Sequence, residues 1–173
     1  DNKRSINDVS NLHYKEDNIL KFTYAAHPDL NKIYLATLDI KDYQNRIIYL
    51  ESSRGCPYHC SYCTASLDNK VRYFPLEKVL NILYTLMINK TKVVKFLDRT
   101  FNAHKKNFIS LIDFIIKNHK PNNSFQFEIT GDLLDPSIID YINEKAPKNL
   151  FRFEIGIQST NIETNLSVGR IQN

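Results

Sequence analysis

The chain contains three cysteines, at positions 56, 60 and 63, inside the run Arg54-Gly55-Cys56-Pro57-Tyr58-His59-Cys60-Ser61-Tyr62-Cys63. Their C-x3-C-x2-C spacing puts three thiols on one tight loop. Cysteine thiolates are the usual ligands of iron–sulfur clusters. Three of them can hold three irons of a cubane and leave the fourth iron open for chemistry. Two other sites use such cysteines. A structural zinc site wants a fourth ligand, commonly from a second Cys or His pair. No second C-x2-C is present, and His59 is awkwardly placed beside Cys60. A redox pair at Cys60 and Cys63 should open a helix and has no use for a third cysteine upstream. The odd count and close spacing argue against a disulfide framework and fit a reducing cytoplasm.

The loop needs a scaffold, and the flanking sequence supplies one. Ile47-Ile48-Tyr49-Leu50 reads as a short buried strand just before the cysteines. Pro75 then opens a helix from the first helical position, with Leu76, Val79, Leu80, Leu83, Leu86 and Met87 on one face. Val93-Val94-Lys95-Phe96-Leu97 is the next strand, and Phe108, Leu111, Ile112 and Ile115 mark the next helix. Phe125-Gln126-Phe127-Glu128-Ile129-Thr130 alternates as a third strand. Asp135 caps a helix that Pro136 begins, with Ile138, Ile139 and Ile142 facing inward. Phe151-Arg152-Phe153-Glu154-Ile155-Gly156-Ile157 is a fourth strand, and Asn161 starts a fourth helix. Strand, loop and helix in repeated order mean an α/β fold with a parallel sheet. A complete (β/α)8 barrel needs about 250 residues. The expectation is therefore a partial TIM-type barrel of about four βα units over residues 46–173. The ligand loop would sit at a strand's C-terminal end, where barrels keep their active sites. Residues 1–45 read as an N-terminal extended arm or linker, with a short hairpin where 11–14 and 19–22 flank Lys15-Glu16-Asp17-Asn18. Residues 25–44 read as linker.

The remaining totals exclude more than they assign. With 173 residues, 42% hydrophobic and 24% charged, the composition is that of an ordinary globular domain with a core. No apolar run approaches the ~18 residues of a membrane span. Asp1-Asn2-Lys3-Arg4 has no apolar stretch behind it, so no signal peptide is expected and the compartment is read as cytoplasmic. The net charge of +4 comes from 23 basic and 19 acidic residues dispersed along the chain, which makes a mixed solvated surface. The nearest basic cluster, His104-Lys105-Lys106, is too short for a nucleic-acid patch. The last strand would have an unpaired edge, so self-association through the open barrel edge is expected.

The cysteine run resembles the C-x3-C-x-aromatic-C signature of the radical S-adenosylmethionine (radical SAM) superfamily. Residues 51–54, Lys95-Phe96-Leu97-Asp98-Arg99-Thr100-Phe101-Asn102, Phe127-Glu128-Ile129 and Glu154-Ile155-Gly156-Ile157-Gln158-Ser159-Thr160-Asn161 resemble one branch of it, over about residues 9–173. That branch carries an N-terminal cobalamin-binding domain, which would precede residue 1. The resemblance implies a 4Fe–4S cluster on Cys56, Cys60 and Cys63, with S-adenosylmethionine chelated at the remaining iron. An electron from the cluster would cleave it to a 5′-deoxyadenosyl radical. It also implies an electron donor such as flavodoxin or ferredoxin, and cobalamin through a domain outside this chain. Tyr62 matches the aromatic position near the adenine. Asp98 falls where relatives meet the methionine amino group, although this chain lacks their glycine-rich turn there. Glu128 and Glu154 would form a polar cradle inside the barrel. Gln158 matches the Gln expected near the ribose or methionine, and Arg170 an Arg that meets the cofactor carboxylate. The substrate is not legible. The alternative is a non-catalytic iron–sulfur or metal-binding module, which would not need Glu128, Gln158 and Arg170.

Overall fold

The computed structural model describes residues 5–33, 46–68 and 70–171. The chain divides into two compact units, residues 1–34 and 35–173. In the first, β1 (His13–Glu16) pairs antiparallel with β2 (Ile19–Phe22). The turn between them, Asp17-Asn18, has φ of 49° and 63°. Two residues with positive φ are what a tight hairpin of matching twist requires, and Asp and Asn tolerate it. The linker expected over 25–44 lies, from residue 34 onward, outside the described residues.

The second unit is built on four parallel strands, β3 (Ile47–Leu50), β6 (Val93–Phe96), β7 (Ser124–Ile129) and β8 (Phe151–Ile155), in the order β3-β6-β7-β8. Between β3 and β6 a two-residue ladder joins β4 (Ser53–Arg54) to β5 (Arg72–Tyr73). Helices α1 (Leu76–Ile88), α2 (Lys105–Asn118), α3 (Pro136–Lys145) and α4 (Ile162–Ser167) follow β5, β6, β7 and β8. The strands order as consecutive neighbours, the start of a barrel of the TIM type. Among the described residues the outer edges of β3 and β8 have no strand partner. No helix among them is long and apolar enough to cross a membrane.

Alternation decides the faces. In β7, Phe125, Phe127 and Ile129 are buried, whereas Gln126 and Glu128 are half-buried. In β6, Val94 and Phe96 are buried with Lys95 between them. The apolar face is joined to α2 through Phe101, whose ring centroid lies 4.3 Å from that of Phe127 and 5.8 Å from that of Phe108. Val79, Leu83, Leu86 and Met87 of α1, and Phe108, Leu111, Ile112 and Ile115 of α2, supply the other wall. Each such side chain removed from water contributes about 1.5–3 kcal/mol.

Three local expectations change. Pro75 takes the cap position, with φ −52° and ψ 122°, and the helix starts at Leu76. In α3 only Ile138 is buried, while Ile139 is 43% exposed. The fourth strand stops at Ile155 instead of running to 157.

Candidate functional site

The site forms where the strands end. Leu50 of β3 pairs with Phe96 of β6, so two residues further on Ser52 stands opposite Asp98. Asp98 accepts hydrogen bonds from Ser52 N (2.9 Å), Ser52 Oγ (2.5 Å) and Ser53 Oγ (2.6 Å). Burial pushes its carboxyl up from the ordinary range, and the Ser52 and Ser53 hydrogen bonds oppose that shift. Its first consequence is structural: it fixes the segment that delivers Cys56.

The loop's neck is closed on one side by β4 and β5, where Ser53 pairs with Tyr73 and Arg54 with Arg72. Gly55 has φ 93°, and a Cβ there would lie 2.5 Å from the Lys70 carbonyl oxygen. Cys56 N donates to the Asp68 carbonyl at 3.0 Å. Cys63 N donates to the Cys60 carbonyl at 3.1 Å, which closes a tight backbone turn between the second and third cysteines.

The other side is held by the end of α4. Ser61 N donates to the Val168 carbonyl at 2.8 Å. Gly169 has φ 73°, and a Cβ on it would come 2.7 Å from the His59 carbonyl oxygen. Side chains other than Gly meet both strain and backbone there. Arg170 is 9% exposed, and its guanidinium carbon lies 4.0 Å from the Tyr58 ring centroid. Its Nη2 donates to Thr130 Oγ1 (3.2 Å) and to the Gly156 carbonyl (3.4 Å). The Tyr58 hydroxyl donates to Thr130 Oγ1 (3.2 Å) and Asp132 Oδ2 (3.4 Å). Burial pushes the Tyr58 phenol up from its ordinary value.

A cavity of about 380 Å³ opens over this loop. Cys56, Cys60, Cys63, Tyr62, Glu128, Glu154, Gln158 and Arg170 all line it, with Tyr58, Arg99, Thr100 and Thr130. Asp98 does not line it and is 1% exposed. Asp98 was expected to meet the methionine ammonium; its carboxylate here accepts from Ser52 and Ser53. Tyr62 is 57% exposed, leaving its ring open to a ligand face. Glu128 and Glu154 stand directly opposite each other on β7 and β8. Opposed like charges destabilise a sheet unless compensated. Here Arg99 Nη1 lies 3.9 Å from Glu128, Lys95 Nζ lies 3.4 Å from Glu154, and the Gln126 amide donates to Glu154. Gln158 reaches the cavity from beyond the strand end, with φ 65°. A non-glycine residue in that region costs about 1–3 kcal/mol, and such strain concentrates at functional sites.

Sequence reasoning missed Ser52, Ser53, Tyr58, Thr100 and Gly169. The signal for the serines was the register: equal offsets past a paired strand end bring Ser52 to Asp98. All three thiols are free. Among the described residues no three His, Cys, Asp or Glu side chains are grouped as one metal ion requires. A cluster suits thiols spread along a loop, since each thiolate takes its own iron.

Residues 50–173 match the family model described as the Radical SAM superfamily. No curated protein matches the chain. Two solved structures of a radical S-adenosylmethionine methyltransferase, TsrM from Kitasatospora setae, share the fold. The form with tryptophan substrate and a SAM analogue (aza-SAM) bound has TM-score 0.74 and 14% identity, covering 94% of this chain and 34% of that one. The form with cobalamin and a [4Fe-4S] cluster bound has TM-score 0.59 and 16% identity, covering 71% of this chain and 24% of that one. The chain thus spans at most about a third of those proteins' length.

Proposed function

The chain belongs to the radical SAM superfamily, and from that premise we propose that it binds a 4Fe–4S cluster through Cys56, Cys60 and Cys63, with S-adenosylmethionine in the adjoining cavity. We place it within a longer enzyme that also uses cobalamin, in keeping with what the TsrM structures contain. When bound, the cluster supplies the single electron that splits the sulfonium into methionine and a 5′-deoxyadenosyl radical.

The chain's own residues bind, orient and enclose. Cys56, Cys60 and Cys63 would hold the cluster through their thiolates. Glu128 and Glu154 offer acceptors to ribose hydroxyls or an ammonium, and Lys95, Arg99 and Gln126 keep that pair in place. Gln158 adds an amide at the rim, and Tyr62 an open ring for adenine. Arg170, stacked on Tyr58, ties the cysteine loop to the ends of β7 and β8 while one face of it lines the cavity. Methyl transfer and oxidative chemistry both remain compatible with this half of the core, and a flavodoxin or ferredoxin is a suitable electron donor.

The observation that carries the reading is that three free thiols and the Glu128–Glu154 pair face one cavity at the C-terminal end of a parallel sheet. The test is anaerobic reconstitution of the full-length protein with iron and sulfide, then reduction in the presence of S-adenosylmethionine. A cluster chromophore with release of 5′-deoxyadenosine is expected. A cluster that never promotes cleavage points instead to a non-catalytic iron–sulfur module. We also propose that the exposed edge of β8 lets this chain by itself self-associate. Light scattering at rising concentration reads this, and a monomer throughout removes it.

A further inference from the structure

We propose that the Thr100 hydroxyl donates a hydrogen bond to the Cys56 thiolate and thereby raises the reduction potential of the cluster, an inference that rests on the function proposed above. Thr100 Oγ1 lies 3.5 Å from Cys56 Sγ, across 44 residues of chain. Both side chains are buried, at 5% and 8% exposure. With a free thiol, either group can donate. An iron-bound thiolate has no proton, so only the hydroxyl can.

The contact is built on rigid parts. The Thr100 carbonyl accepts from Ala103 N at 3.0 Å, which makes the tight turn Phe101–Ala103. Asn102 in that turn is anchored to Thr130 through both its amide nitrogen (2.8 Å) and its oxygen (3.0 Å). Two residues before Thr100, Asp98 grips Ser52 and Ser53 on the way to Cys56. Both partners are therefore referred to the same strand ends. The segment 98–100 thus reaches the cysteine loop twice, through Asp98 on Ser53 and Thr100 on Cys56.

Reduction adds negative charge to the cluster and its ligand sulfurs. A donor aimed at one sulfur stabilises the reduced form more than the oxidised one, and hydrogen bonds to the sulfurs are among the factors that set cluster potentials. The bond is charge-assisted and sits away from water, where it is strongest.

The test is an EPR-monitored redox titration of the reconstituted full-length protein. Thr100→Val keeps the shape and removes the donor, and its midpoint should shift to more negative potential. Thr100→Ser keeps the donor, and its midpoint should stay with that of the unsubstituted protein. Should the valine variant fail to hold a cluster, Thr100→Ala carries the same expectation of a negative shift. A midpoint unchanged in every variant lacking the hydroxyl overturns the inference. So does a serine midpoint that falls with them, because the methyl group would then be responsible. If the unsubstituted protein holds no cluster at all, the function proposed above fails, and this inference fails with it.

Discussion

On one side of β6 and β7, Val94, Phe96, Phe125, Phe127 and Ile129 are closed off from water against rings such as Phe101. On the other side of the same strands, Lys95, Gln126 and Glu128 stay half-buried and reach toward Arg99, Glu154 and the cysteine loop. One backbone therefore carries two surfaces with different tasks. The aromatic face holds the strands in register and tolerates no gap. The polar face adds little to folding and holds the groups that a cofactor would meet. Sheets in which both faces are buried usually read as continuous apolar runs. The alternation in β7 signals that its second face looks into a polar interior.

The largest effect should follow from opening the aromatic face. Phe127 is fully buried, stacked on Phe96 and Phe153 and tilted against Phe101, with centroids 4.9, 5.7 and 4.3 Å away. Phe127→Ala should cost about 3–5 kcal/mol by the usual cavity penalty. That is a large share of the ~5–15 kcal/mol that holds a typical domain. Urea unfolding measures it, and a loss under about 1 kcal/mol would mean that this face is not the core. Next in size is Gly169→Ala, which forces a side chain into a left-handed position against the His59 carbonyl. The expected cost is about 1–3 kcal/mol, felt mainly by the cysteine loop. Iron bound per chain after reconstitution should drop while the far-UV circular dichroism is retained. Full iron loading would show that the end of α4 does not support the loop.

How much of this was readable in advance follows the same division. The four parallel strands and four helices stand out because alternation and the 3.6-residue period are local, as in Phe125 to Ile129 and Val79 to Met87. The cysteines announce themselves by spacing alone. What escaped depends on pairings far apart in the chain: Asp98 with Ser52 across 46 residues, Arg170 with Thr130 across 40. The two-residue ladder between β4 and β5 is too short to leave any period. Asp98 was read as a ligand group from its place in the resemblance, and its pairing with Ser52 and Ser53 leaves no local trace in the sequence. Glu154 gives the sharper test of the polar face. Glu154→Gln removes a half-exposed charge paired with Lys95, so folding stability should change by less than about 1 kcal/mol. Binding of S-adenosylmethionine to the reconstituted protein, read by equilibrium dialysis, should weaken. Should this variant unfold as readily as Phe127→Ala, the two faces do not differ in the way described.

The smallest effect separates charge at the surface from charge at the site. Asp135 caps α3, accepting from Ser137 N at 3.0 Å, and pairs with Lys105 at 2.8 Å. The Lys105 bond, followed by those from Ser137, holds its carboxyl down at about 2. In the unfolded chain a carboxyl of this kind titrates near ~3.9. The folded state therefore binds the proton less readily than the unfolded one. The stabilisation is fully present above about pH 4 and is lost as the pH falls toward 2. Buried Asp98 has the opposite sign. Its carboxyl is raised, so the folded state takes up the proton first, and acidification above about pH 4, before the unfolded chain also protonates, favours folding. Asp135→Asn keeps a side chain that can cap the helix but removes the titration. Stability at pH 7 should hardly move, since an exposed ion pair contributes little. Between pH 4 and 2, thermal unfolding of the variant should lose less with each step of acid than the unsubstituted chain does. Parallel curves would mean that Lys105 does not hold the carboxylate in solution. The loss on acidification would then have to come from elsewhere, such as Asp113 of α2, whose carboxyl is held down by the Lys117 and Tyr141 hydrogen bonds.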